Sequence, residues 1–211
     1  MALSTYAELK TAVATRLSRS NMTALIPDFI TIAHAKMMRG DIVNQMPALR
    51  IDDMLADADI VLSAGVGTLP SDYLERKSLY IDDSTETTMK FLPVAKFNTL
   101  GAKTQAGTPA FYTIKGSSIL VAPYSSDTLK FHYYGLITEP SADSDTNAIF
   151  TKTPHAYLYG ALAEAYDHIR AMDKSTYYRQ QFVSAVVTLN EESDSHEFDG
   201  DSLAMYPDSV S

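Results

Sequence analysis

Five histidines, His34, His132, His155, His168 and His196, are the side chains of this chain best suited to acid–base work near neutral pH. There is no cysteine, so a disulfide, a thiolate metal site and a cysteine nucleophile are excluded. Glu164 and His168 are spaced to share one helix face. A zinc site needs at least one further ligand, and no His-Glu-x-x-His motif supplies it. The two are expected to be a solvated Glu–His pair. Asp52, Asp53, Asp57 and Asp59 make an acidic run, and Asp199-Gly200-Asp201 another. Neither has the alternating ligands and terminal Glu of a calcium loop, so both read as solvated loop charges.

Gly65-Val66-Gly67 is followed by Thr68-Leu69-Pro70. It lacks the third glycine and the helix of a dinucleotide site, and reads as a turn between strands. No Gly-x-Ser-x-Gly elbow is present. A carboxylate pair for glycoside cleavage can come from anywhere in a fold. Tyr80, Tyr112, Tyr124, Tyr133 and Tyr134 could stack on sugars, although the chain has no tryptophan. A carbohydrate-active hydrolase or a carbohydrate-binding module therefore stays open as the alternative function. No residue is singled out as catalytic, cofactor-binding or metal-binding.

The surrounding elements are expected to run from helices to strands and back to helices. Thr5 and Glu8 have capping-box spacing, and Tyr6, Leu9, Val13 and Leu17 follow at helical steps. Ser18-Arg19-Ser20-Asn21 breaks the pattern. Pro27 opens a second helix with Ile26, Phe29, Ile30, Ala33 and Met37 on its apolar face, and Gly40 stops it. Between 47 and 150, short runs rich in Thr, Tyr, Val, Ile and Phe alternate with Gly, Pro, Ser and Asp. Strands are expected at 48–54, 59–63, 76–81, 89–93, 110–114, 119–122 and 128–137, with a hairpin turning at Lys115-Gly116-Ser117-Ser118. Leu129, Phe131 and Tyr133 should face the core, opposite Lys130 and His132.

A polar loop spans 139–147, and Thr153-Pro154 then starts a helix with Tyr157, Leu158, Ala161, Leu162, Ala165, Tyr166 and Ile169 on a wide stripe. Ala171-Met172-Asp173 is a tight connection to a last helix carrying Tyr178, Phe182, Val186 and Leu189. The fold class is α+β. An antiparallel helical bundle (1–46 and 151–194) surrounds an inserted antiparallel β-sandwich or barrel-like domain (47–150). Residues 195–211 form an acidic C-terminal tail, extended or disordered until assembled. Leu203, Met205 and Tyr206 in that tail are the candidate docking residues.

The 211 residues are 45% hydrophobic and 20% charged, ordinary for a globular protein. The net charge of -9, with 17 basic residues against 26 acidic ones, disfavours tight nucleic-acid binding. The first residues make no signal peptide, and no apolar run approaches the ~20 residues of a membrane span. The protein is expected to begin in the cytoplasm, with no membrane partner.

Several segments, in this order, resemble the head-to-tail adaptor family of short-tailed, podovirus-like bacteriophages. They are Ser4-Thr5-Tyr6-Ala7-Glu8-Leu9-Lys10 through Ile26-Pro27-Asp28-Phe29-Ile30, and Leu69-Pro70-Ser71-Asp72-Tyr73-Leu74-Glu75. Tyr112-Thr113-Ile114-Lys115-Gly116, Leu120-Val121-Ala122-Pro123, Tyr133-Tyr134 and Tyr157-Leu158-Tyr159-Gly160-Ala161-Leu162 follow. The resemblance spans 4–190. It implies a virion protein without catalytic residues. It also implies a homo-oligomeric ring, usually dodecameric, that binds the phage portal at the head–tail junction. Such a ring extends the DNA channel, lets the genome pass without tight binding, and supports the tail nozzle and fibre proteins.

Overall fold

The structure is a computed structural model that describes residues 3–81 and 87–198. The helices are α1 (Tyr6–Leu17), α2 (Ile26–Arg39), α3 (Val94–Asn98), α4 (Ala148–Lys152), α5 (Pro154–His168) and α6 (Met172–Phe198). The strands are β1 (Leu55–Val61), β2 (Val66–Thr68), β3 (Tyr73–Ile81), β4 (Lys90–Phe91), β5 (Phe111–Lys115), β6 (Ser118–Ala122) and β7 (Thr128–Gly135). The class is α+β, as the change of period along the sequence predicts. The chain divides into two compact units. One combines Met1–Asp53 with Ile137–Ser211, and the other is Met54–Leu136.

In the helical unit α5 packs against α1, α2 and α6. Ala156, Tyr157, Leu158, Ala161, Leu162, Ala163 and Ala165 are all buried, so the middle of α5 is apolar nearly all round, while His155, Asp167 and His168 near its ends are exposed. Thr5 caps α1 by accepting from the Glu8 N–H. The Glu8 carboxylate reaches one residue further back than a capping box requires and accepts from the Ser4 N–H and Oγ–H, at 2.8 and 2.7 Å. Those bonds hold its carboxyl below the usual carboxylate range. Pro27 stands in the first turn of α2, and Gly40, at φ 78°, ends it.

Four local expectations are corrected. Residues 48–54 are not a strand. Their alternation instead reflects burial of Leu49 and Ile51 while Asn190 of α6 binds the backbone, accepting from the Arg50 N–H and donating to the Ala48 carbonyl. Thr153 makes no side-chain cap. Asn147 does, starting the short α4 directly after the polar loop. The acidic stretch after Asn190 stays helical through Phe198, with Ser193 buried and its Oγ–H donating to Asp52. The second glycine of Gly65-Val66-Gly67 lies in β2, while Gly65 alone takes the turn conformation, at φ 80°.

The β unit has two sheets. One runs β1-β7-β3, fully antiparallel, and the other β2-β6-β5-β4. β4 pairs with β5 in parallel, against the expectation of an all-antiparallel arrangement. The hairpin of β5 and β6 turns at Gly116, at φ 62°. Leu129, Phe131 and Tyr133 on β7 join Leu79, Tyr112, Ile119 and Val121 in one core shared by both sheets. β1 starts four residues earlier than the acidic composition suggests, because Asp57 and Asp59 face outward and meet His132 and Lys130 on β7.

Candidate functional site

The groups able to do chemistry are distributed over both units. On the outer face of the three-stranded sheet, Asp57 of β1 pairs with His132 Nδ1. The His132 ring stacks on Tyr80 of β3, with Nε2 3.2 Å from its hydroxyl. Asp59 accepts from Lys130 Nζ at 2.8 Å one rung away. The register accounts for this, since Asp57 stands opposite His132 and Asp59 opposite Lys130. An acid, an imidazole and a hydroxyl in line have the wiring of a proton relay. Here Asp57 is 78% exposed, so water screens its charge, and the arrangement acts as cross-strand pairing of a solvated face.

In the helical unit Glu164 pairs with Lys36 at 2.6 Å, while the His168 ring lies 5.6 Å from Phe29. The expected Glu164/His168 pair is therefore replaced by an ion pair from α5 to α2 and an aromatic contact. Asp52 and Asp53 bind Ser193 and Lys152. Among the described residues no three ligand-type side chains gather to hold a metal ion. Tyr112 and Tyr133 are core residues. Burial, then the Asp72 carboxylate that accepts the Tyr133 hydroxyl proton, pushes Tyr133 up to about 12. The five tyrosines that could stack on sugars are thus split between the core and the surface.

One polar cluster is buried. His34 of α2 is 7% exposed, and its Nδ1 lies 2.8 Å from the Tyr157 hydroxyl of α5. Asn147 Nδ2–H donates to the same hydroxyl at 2.9 Å and to the Thr138 carbonyl at 3.1 Å. Thr31 donates to Glu139. Burial lowers the His34 pKa and raises that of Tyr157, so both stay neutral. The cluster ties residues 137–139 to α2 and α5, which is structural work.

What remains at the surface is apolar. The turn after α2 closes with reciprocal backbone bonds between Asp41 and Met46, both 2.9 Å. The Asp41 carboxylate accepts from the Asn44 backbone and side-chain N–H groups. The turn presents Ile42 and Val43, 96% and 90% exposed. Asn44 also borders a groove on α6 lined by Thr176, Arg179, Gln180, Val183 and Val187. Sequence reading missed this surface, although the apolar pair directly after the Gly40 helix stop was its signal. Leu203, Met205 and Tyr206 lie outside the described residues.

No helix among the described residues is long and apolar enough to cross a membrane. None of the curated proteins matches the chain. The family described as SU10 adaptor protein matches it over residues 4–203, which takes in both units from before α1 to beyond α6. The chain belongs to the SU10 adaptor protein family.

Proposed function

We propose that the protein is the head-to-tail adaptor of a short-tailed bacteriophage. It binds the portal as a ring, extends the DNA channel, and carries the tail nozzle and fibres. The observation behind this reading is the family match over 4–203, which fits a structural role in the virion at the head–tail junction rather than catalysis. The ring is a homo-oligomer, dodecameric by family resemblance. Its contacts are heterologous, with two different patches of each subunit meeting. Exposed Ile42 and Val43 support an interaction surface, since large apolar side chains clustered in water mark docking sites.

The discontinuous helical part and the inserted β part are read as two domains of one subunit, followed by an assembly-dependent tail. The tail anchors Leu203, Met205 and Tyr206 dock on the portal or on a neighbouring subunit. Co-sedimentation with the purified portal tests the role. The protein should pellet with the portal at fixed stoichiometry, and a protein left wholly in the supernatant would refute portal binding.

A further inference from the structure

The groove on α6 encloses about 460 Å³, room for a few apolar side chains. Its apolar members are Val183 and Val187. Its cation is Arg179, and no carboxylate stands among its described lining. Arg179 is held in place by Ser175 Oγ at 3.3 Å and Asp167 at 3.9 Å. The adjoining turn contributes Asn44 to the lining and carries the exposed Ile42 and Val43. We propose that this groove receives the 203–207 segment of a second copy of the chain. The proposal rests on the ring-adaptor reading and names one of its contacts.

The chemistry of the segment complements that of the groove. Leu203, Met205 and Tyr206 supply apolar anchors, bracketed by Asp199, Asp201 and Asp208, which suit a lining whose one charged residue is Arg179, held 3.9 Å from Asp167 at its edge. The length of chain beyond α6 argues that the occupant comes from another copy. Val187 lies about 16 Å, and Thr176 about 33 Å, up the helix from Phe198 at about 1.5 Å per residue. A chain doubling back spends about four residues on the reversal. Residues 203–206 then span about 14 Å at most, enough to approach Val187 but not to lie along their own groove to Arg179 and Thr176. A neighbour's segment has no such limit. The end of α6 and the middle of α6 are also different patches, as a closed ring requires, and repetition around the ring multiplies a weak contact.

The test titrates a fluorescein-labelled peptide of residues 199–211 into the full-length chain carrying Leu203→Ser, Met205→Ser and Tyr206→Ser, whose own segment cannot compete. Saturable one-to-one binding is expected. Adding Val183→Glu should weaken it roughly tenfold or more, as loss of one apolar contact plus a buried charge requires. Ser184→Glu, at an exposed lining position of the same helix, should do likewise without risk to the core. A peptide with its three anchors changed to serine should not bind. No saturable binding, or an affinity unchanged by Val183→Glu and by Ser184→Glu, overturns the proposal. Ring formation on the portal is scored separately. Rings without peptide binding overturn the docking contact alone, whereas peptide binding without rings supports the contact and overturns the ring reading.

Discussion

His34 and Tyr157 meet inside the helical unit, Nδ1 to hydroxyl at 2.8 Å, and with Asn147 they hold the segment at 137–139 against α2 and α5. The hydroxyl accepts from Asn147, which leaves its proton for His34 Nδ1, while the imidazole bonds the Ile137 backbone. Tyr157→Phe removes the shared atom and leaves Asn147 and His34 short of a partner. The expected loss is about 1–3 kcal/mol, read from urea unfolding.

The same pair predicts a pH dependence. Burial lowers the His34 pKa below its ordinary value of 6.5. The unfolded chain therefore binds a proton there before the folded one does. This contribution to stability is complete above 6.5 and is lost as pH falls through the lowered folded pKa. Urea midpoints should drop between about pH 7 and pH 5, and the drop should shrink in His34→Gln. An unchanged slope in that variant would assign the acid limb to carboxylates.

Gly160 marks the closest approach of the helices. A Cβ there would lie 2.7 Å from Ala33 Cβ and 3.1 Å from the Phe182 ring. Gly160→Val must push α5 away from α2 and α6, at about 1–3 kcal/mol. Thermal unfolding should show a lower midpoint, and an unchanged midpoint would mean that the helices separate freely.

Thr113 of β5 is 1% exposed, and its hydroxyl has no hydrogen-bond partner among the described residues. Thr113→Val keeps the shape and removes the unsatisfied group. Stability should rise by about 1 kcal/mol, read as a higher midpoint, and a fall would place an ordered water on the hydroxyl.

Much of the fold is legible in the sequence because periodicity reports burial. The apolar stripes of α1, α2 and α5 and the alternation of β7 follow directly from Leu9, Ile30, Leu162 and Phe131. Reading fails where a polar side chain does structural work at long range. Asn190 stitches the 48–50 backbone from about 140 positions away, so an extended loop reads as a strand. Asp57 and Asp59 read as loop charges because their partners, His132 and Lys130, are more than 70 positions away. The exposed turn of Ile42 and Val43 is visible as residue types, but its exposure depends on the closure between Asp41 and Met46.

An acidic ring proposed to surround a DNA channel should not grip the genome. With a net charge of -9, the channel-facing surface is expected to be acidic or neutral, since fixed Lys and Arg contacts to phosphate add affinity. Fluorescence anisotropy with a duplex oligonucleotide should show no binding at about 150 mM salt. Affinity falling steeply with added salt would reveal a basic lumen instead.

Electron microscopy of the protein mixed with its purified portal tests the adaptor role most directly. Class averages should show an added ring of density coaxial with the portal, with the portal's own symmetry and an open central channel. Portals without added density at saturating protein would contradict the account.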